Sequence, residues 1–321
     1  MRWVCRLVVA VVLAAGLAAG CDRATGRGEK DGLRRLRVSF SEHISFAPLM
    51  IAQAEGYFRD EGLDVEFVAT MRPEEALVAL ITGDIDVRPG ALHAGFLSAI
   101  ARGAPIRIAA GLGVLAREGC TYFGIALRPG LDPAGTPVIR RVRASQDGVT
   151  RYVVSRMLEM RGVTLNTLET VRLPEPVMVS ALQSGAIDAG AASEPVLSRM
   201  AAVGHLWISG QDAVPDFQWG VIMFGERLLV RERETAHRFI RAYQRGVTQY
   251  RLGKTDRNVA IIAEGTGETV ERTRAACWIE FSADSHIDWN SVEGFQAWAN
   301  AEKFMEGMIT RERAVDPGFV K

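Results

Sequence analysis

The sequence predicts an α/β protein of two similar lobes, each a mostly parallel sheet flanked by helices, joined by two crossover strands. Three observations carry this. Strand-like and helix-like segments alternate from residue 36 onward, the pattern of parallel sheets with crossover helices. An internal repeat links ALITGDIDV (79–87) to ALQSGAIDA (181–189) at an offset of 102 residues. The chain has 321 residues, 48% hydrophobic and 24% charged, which is ordinary globular composition and enough for two domains.

The first copy opens with a strand at 36–40 (LRVSF) and a polar loop at 41–45. A helix begins near Ala47 and Pro48, because proline suits a first helical turn; Ser45 is the expected cap and Gly56 the stop. A strand follows at 63–69. Pro73, Glu74 and Glu75 open the next helix, with acidic groups where the dipole favours them. Leu77, Leu80 and Ile81 give it an apolar face, and Gly83 ends it. Further elements are a strand from 85, a helix over 93–102 and a strand over 106–112.

The second copy repeats this order. A strand at 138–144 leads to a polar loop, 145–148, and a helix with Tyr152, Val153, Met157 and Leu158 inward. A strand near 168–173, a helix near 177–184 and a strand at 187–191 complete it. Segments 121–127 and 218–224 are strand-like and read as two crossings between the lobes. After Arg227 the pattern is helical: Phe239, Ile240, Tyr243 and Val247 lie at helical spacing within 234–252, and helices are expected over 270–281 and 291–308. Such a tail has no sheet of its own and is expected to pack on the first lobe. The expected organisation is therefore 36–124 for the first part of lobe one, 125–221 for lobe two and 222–321 for the second, helical part of lobe one.

The N-terminus departs from the averages. Arg2 and Arg6 precede an apolar run, 7–20, too short for a membrane span of ~20 residues and followed by small residues and Cys21. This is an export leader over 1–20. The string LAAGC resembles the bacterial lipobox, whose cysteine carries the lipid, although Leu17 stands one position further from the cysteine than is usual. Asp22 resembles the signal that retains lipoproteins at the inner membrane of Gram-negative bacteria. Residues 21–35, charged and glycine-rich, suit a flexible tether. The reading is a protein on the periplasmic face of the inner membrane, lipid-anchored at Cys21, or soluble in the periplasm if not lipidated.

The charges balance, 38 basic against 38 acidic, so nothing points to nucleic acid. With four cysteines the chain is not a disulfide scaffold. Cys120 and Cys277 remain beside the leader's Cys5 and Cys21. In an oxidising compartment they pair, or they stay as two buried thiols.

Ligands of open parallel sheets sit beyond the carboxyl ends of the strands, against helix N-termini. Four loops have that place: 41–45, 89–93, 145–150 and 192–195, two in each lobe. Candidate ligand-binding residues are Ser41, His43, Ser45, Gly90, His93, Ser145, Gln146, Gly148, Thr150, Ser193, Glu194 and Trp219. Each hydroxyl has a second reading as a helix cap, and each glycine as a turn residue. Trp219, with Phe217, either walls an aromatic ligand or packs the hinge. His43 and His93 with Glu42 or Glu194 have a metal-ligand alternative; the favoured reading is neutral hydrogen bonding, with no metal and no cofactor. Arg88 is a weak candidate for an anionic group, since arginine is this chain's default basic residue.

The leader with its cysteine, SEHISFAPLMIAQAEGYFRDEGLDVEFV (41–68), ALITGDIDV and ALQSGAIDAGAASEP, in that order, resemble the solute-binding proteins of ABC transporters. The subgroup serves nitrate, sulfonates, taurine and the pyrimidine precursor of thiamine. The resemblance spans nearly the whole mature chain. It implies the two-lobed type II periplasmic-binding-protein fold and closure on a small solute, with delivery to an inner-membrane permease by a monomer.

An enzyme on the same scaffold, forming pyrimidine or menaquinone precursors, is the alternative. The export leader argues against it. The first cleft loop also lacks a lysine for pyridoxal phosphate, the lysines being Lys30, Lys254, Lys303 and Lys321. A ligand-sensing receptor would need the same cleft.

Overall fold

The computed structural model describes residues 32–69, 72–135, 137–144 and 148–319. The leader with Cys5 and Cys21, the tether through residue 31, and Ser145, Gln146 and Asp147 lie outside the described residues. No helix among the described residues is long and apolar enough to cross a membrane.

The first run is β1 (Arg34–Phe40), α1 (Ala47–Ala54), the one-turn α2 (Tyr57–Asp60), β2 (Leu63–Ala69), α3 (Pro73–Thr82), β3 (Val87–Ala91), α4 (Ala94–Ala101) and β4 (Arg107–Leu115). The second is β5 (Phe123–Leu127), β6 (Arg141–Arg143), α5 (Gly148–Glu159), β7 (Glu169–Val171), α6 (Glu175–Gln183), β8 (Ala189–Ser193), α7 (Val196–Val203), β9 (His205–Ser209) and α8 (Gly210–Ala213). The third is β10 (Phe217–Phe224), α9 (Arg233–Tyr250), α10 (Asp256–Thr266), α11 (Val270–Ala275), α12 (Trp289–Ala301) and α13 (Arg311–Ala314).

Two five-stranded sheets result, ordered β2-β1-β3-β10-β4 and β7-β6-β8-β5-β9. They have the same topology. β1 lies parallel between β2 and β3, with Leu36 opposite Val65 and Val38 opposite Val87. β6 lies likewise between β7 and β8, with Val142 opposite Thr170 and Ala189. In each sheet one strand runs antiparallel to both neighbours: β10 in the first, with Val221 opposite Gly90 and Gly111, and β5 in the second, with Ile125 opposite Ala191 and Ile208. The chain therefore passes between sheets twice, from β4 into β5 and from β9 through α8 into β10. This is the periplasmic-binding-protein architecture.

Every residue of β10 is buried, which suits a strand covered on both faces. At Gly220 the neighbouring backbones close in: a Cβ there would lie 2.7 Å from the carbonyl oxygen of Gly90.

The sequence repeat is a structural repeat. Gly83 and Gly185 both adopt positive φ, +78° and +73°, as they end α3 and the turn after α6. The N–H of Ile85 donates to Ala79 (3.1 Å), as that of Ile187 does to Ala181 (3.2 Å). Asp86 accepts the Arg37 N–H at 2.9 Å; Asp188 accepts those of Arg140 and Arg141 at 2.9 and 3.0 Å.

The helical tail packs on the first lobe. α9 buries Phe239, Tyr243 and Val247, and the Tyr243 hydroxyl donates to the Gly111 carbonyl of β4 at 2.9 Å. Its outer face pairs Arg241 with Glu61 and Arg245 with Asp60. Two expected helices are shorter than anticipated. That over 270–281 stops at α11, because the chain beyond it joins the edge of β4: Val114 donates to Glu280 at 2.8 Å. That over 291–308 is α12 and ends before Lys303, which has φ +62°, while the Gln296 side chain takes the N–H of Ile309 at 2.8 Å. Ser45 does not cap α1. It lies buried in a 3-10 turn, Ile44–Phe46, and Phe46 holds the cap position.

Candidate functional site

A cavity of about 310 Å³ lies between the two sheets. It opens at the carboxyl ends of β1, β3 and β8, where parallel sheets place ligands. The repeat builds it from both sides. Pro89, Gly90 and Ala91 of β3 line it, and so do their counterparts at an offset of 102, Ala191, Ala192 and Ser193 of β8. Ser39 follows Val38 at the end of β1 as Arg143 follows Val142 in β6, and both face the cavity.

Seven of the expected residues are brought together here: Ser41, His43, Ser45, Gly90, Thr150, Ser193 and Trp219. Trp219 serves both of its readings. It lines the cavity and packs on Phe123 (4.9 Å between ring centres) and edge-on to Tyr122 (5.9 Å). Phe217 is turned away, against Tyr152 at 5.3 Å.

Three expected residues do not line the cavity. His93 caps α4, its Nδ1 accepting the Gly95 N–H at 3.1 Å. Gly148, at φ +71°, lies beneath that ring, where a Cβ would come 3.1 Å from His93 Cδ2; beside it the Val149 N–H donates to Leu92 across the lobes at 3.0 Å. Glu194 turns to the start of α7, where its carboxylate takes the Ser198 hydroxyl at 2.7 Å and the Ser198 N–H at 3.3 Å. Burial raises its pKa, against the pull of Ser198, the Cys277 N–H and Lys254. Sequence position puts a residue on a loop but does not say which way its side chain turns.

The two histidines and Glu194 thus have separate tasks, and among the described residues no three His, Cys, Asp or Glu side chains gather as a metal site. Glu42 and His43 face a neighbouring groove of about 420 Å³ with Arg199 and Glu268, a pair 3.4 Å apart that bridges the second lobe and α10–α11.

The weak candidate, Arg88, is one of two cationic residues that line the cavity. Arg88, in β3, is buried, and its guanidinium stacks 4.2 Å over the Phe96 ring. Its Nη1 donates to the Ala91 carbonyl at 2.9 Å, and it pairs with no carboxylate among the described residues. Burial pushes its pKa down to about 10. Gly90 makes room for it, since a Cβ there would lie 2.9 Å from the guanidinium carbon. Phe40, Phe46, Tyr122, Phe123 and Arg143 also line the cavity and escaped the sequence reading. For Arg88 one signal was available: it is a charge inside a buried strand where the second copy has Gly190.

Residues 43–252 match the model of the NMT1/THI5 like family. A zinc-bound ligand-binding component of an ABC-type import system from Staphylococcus aureus has a similar structure, with TM-score 0.72 and 14% identity over 89% of this chain and 97% of that one. The periplasmic aliphatic sulphonate binding protein SsuA from Escherichia coli gives 0.71 and 12% over 89% and 98%. The desulfurization enzyme DSZB gives 0.66 and 13% over 89% and 97%. No curated protein sequence matches the chain. At these identities the structural likeness establishes the fold.

Proposed function

The chain belongs to the NMT1/THI5-like family, and from that premise we propose that it is the extracytoplasmic solute-binding component of an ABC importer. The observation that carries the reading is the cavity, walled by corresponding residues of β3 and β8 from the two lobes. A solute held there contacts both lobes only when they are closed, so its binding energy shifts the open–closed balance toward the form a permease would receive. The solute is a small organic or oxyanionic molecule such as a sulfonate, nitrate, taurine or a pyrimidine.

Ser41, His43, Ser45, Gly90, Thr150, Ser193 and Trp219 are the proposed contacts, with Arg88 added. Ser145 and Gln146 enter the proposal from sequence alone. His93, Gly148 and Glu194 are assigned to positioning the loops around the cavity. The mature chain is proposed to be a monomer, anchored through a lipid on Cys21 at the periplasmic face of the inner membrane.

Likeness to a desulfurization enzyme supports catalysis on this scaffold as the second reading. One experiment separates them. Solutes of these classes are incubated with the purified mature protein while melting temperature and product are followed. Stoichiometric binding that raises the melting temperature, with solute recovered unchanged, supports a carrier; turnover of a bound solute overturns it.

A further inference from the structure

The cavity's lining has an unequal chemistry. It contains two guanidinium groups and, among the described residues, no Asp or Glu. The two arginines differ. Arg143 is occupied with the main chain, donating to the Ala191 carbonyl at 3.1 Å and to Leu173 at 3.4 Å, and so holds β8 in place. Arg88 is 8% exposed, uses one donor on Ala91, and rests its face on Phe96. A buried cation without a countercharge is costly, and its remaining N–H donors are best met by an anion, through short charge-assisted hydrogen bonds.

The rest of the lining combines aromatic and small residues. Phe40 and Phe46 meet edge-on at 5.6 Å on the first lobe, and Trp219 with Tyr122 and Phe123 forms a second aromatic group at the crossing strands. On β8, the strand beside Phe123, Ala191 and Ala192 leave space. Ser41, Ser45, Thr150 and Ser193 add hydroxyl-bearing residues to the lining. At about 310 Å³ the cavity stands at the small end of ligand pockets and has room for an aromatic ring carrying an acid group.

We infer that the cleft takes an aromatic acid, a carboxylate or sulfonate, with Arg88 binding the acid group and Trp219 and Phe40 walling the ring. The inference rests on the binding reading above and narrows it. A neutral ring brings Arg88 no countercharge, and none comes from the described residues. An aliphatic anion satisfies Arg88 but gains little from the aromatic side chains that line the cavity.

The test titrates the mature protein with benzenesulfonate, benzoate, ethanesulfonate, nitrate and neutral 4-aminopyrimidine, by calorimetry and by tryptophan fluorescence. The aromatic acids are expected to bind about tenfold or more tighter than ethanesulfonate. Arg88→Gln is expected to weaken them about 100-fold, and Arg88→Lys to restore part of the loss. Trp219→Leu should weaken the aromatic acids by a larger factor than ethanesulfonate; this second variant serves if Arg88→Gln does not fold.

Tighter binding of 4-aminopyrimidine, ethanesulfonate or nitrate overturns the inference and leaves the carrier reading standing. Arg88→Gln, folded, with undiminished affinity for the aromatic acids also overturns it. If none of the five probes binds at millimolar concentration, the inference falls. The carrier reading is then judged on the wider solute screen.

Discussion

Cys120 and Cys277, 157 positions apart in sequence, are joined by a disulfide with their Cα atoms 5.5 Å apart. Cys120 belongs to the segment leading from β4 into β5; Cys277 lies just past α11. The bond therefore closes a loop that contains the whole second lobe and fastens its first crossing to the helical tail. Cross-links over loops of this size stabilise chiefly by restricting the unfolded chain. The double variant Cys120→Ser/Cys277→Ser is expected to lose about 2–5 kcal/mol of unfolding free energy. Urea melts of the variant, and of the parent with and without reductant, check this. Coincident curves would show that the bond does not contribute.

The repeated aspartates give a paired prediction. Asp188 accepts two main-chain N–H groups of the neighbouring strand and the Arg128 Nε at 3.0 Å. Burial alone would raise its pKa, but the Arg141, Arg140 and Arg128 donors outweigh it and the pKa is lowered. Asp86 makes the corresponding bond to Arg37, with Arg227 3.5 Å away. Replacing either by alanine orphans donors at the base of its lobe and should cost about 1–3 kcal/mol. For Asp188, whose pKa is depressed on folding, the stabilisation is present above the ordinary aspartate value and is lost as pH falls through the folded pKa. The difference between parent and Asp188→Ala should therefore shrink as denaturant melts are moved from pH 7 toward pH 3.

How far the sequence reached follows from what each feature depends on. The repeat was legible because a helix stop and the strand after it need the same residues in both copies: Gly83 and Gly185 for positive φ, Asp86 and Asp188 for the neighbouring main chain. Loop positions were legible for the same reason, and seven of the candidates share one cavity. Side-chain direction was not. His93 and Glu194 stand on the right loops but turn to cap α4 and α7. The aromatic walls were hidden because Phe40, Tyr122 and Phe123 read as ordinary strand residues. The stretch 276–281 read as helix because its apolar spacing does not reveal that β4 offers it an edge.

The seat of the helical tail depends on one close approach. Gly246 of α9 packs on α1, and a Cβ there would lie 2.1 Å from the Pro48 carbonyl oxygen and 3.3 Å from Ala52 Cβ. Neither neighbour is a flexible side-chain end, so the helices must separate. Gly246→Ala favours the helix intrinsically, yet should destabilise the protein by about 1–3 kcal/mol through overpacking. Thermal melting checks the sign: a higher melting temperature would mean that propensity outweighs the clash.

Glu194 supplies a pH test with the opposite sign to Asp188. It is 4% exposed, and burial raises its pKa above the ordinary glutamate value despite the donors of Ser198 and Cys277 and the charge of Lys254. The charged groups acting on it are Lys254, whose ammonium donates to the Ala276 carbonyl at 2.8 Å, and, through Lys254, Arg274. A carboxyl whose folded pKa is raised binds its proton more tightly in the folded state. Its contribution is complete below the unfolded value, about 4.3, and declines as pH rises through the folded pKa. Glu194→Gln removes that decline while keeping a similar shape. Melting temperatures of the two proteins from pH 4 to pH 8 should thus draw together, or cross in the variant's favour, as pH rises. A gap that widens against the variant toward pH 8 would show instead that the ionised carboxylate, held by Ser198 and Cys277, is the form the fold prefers.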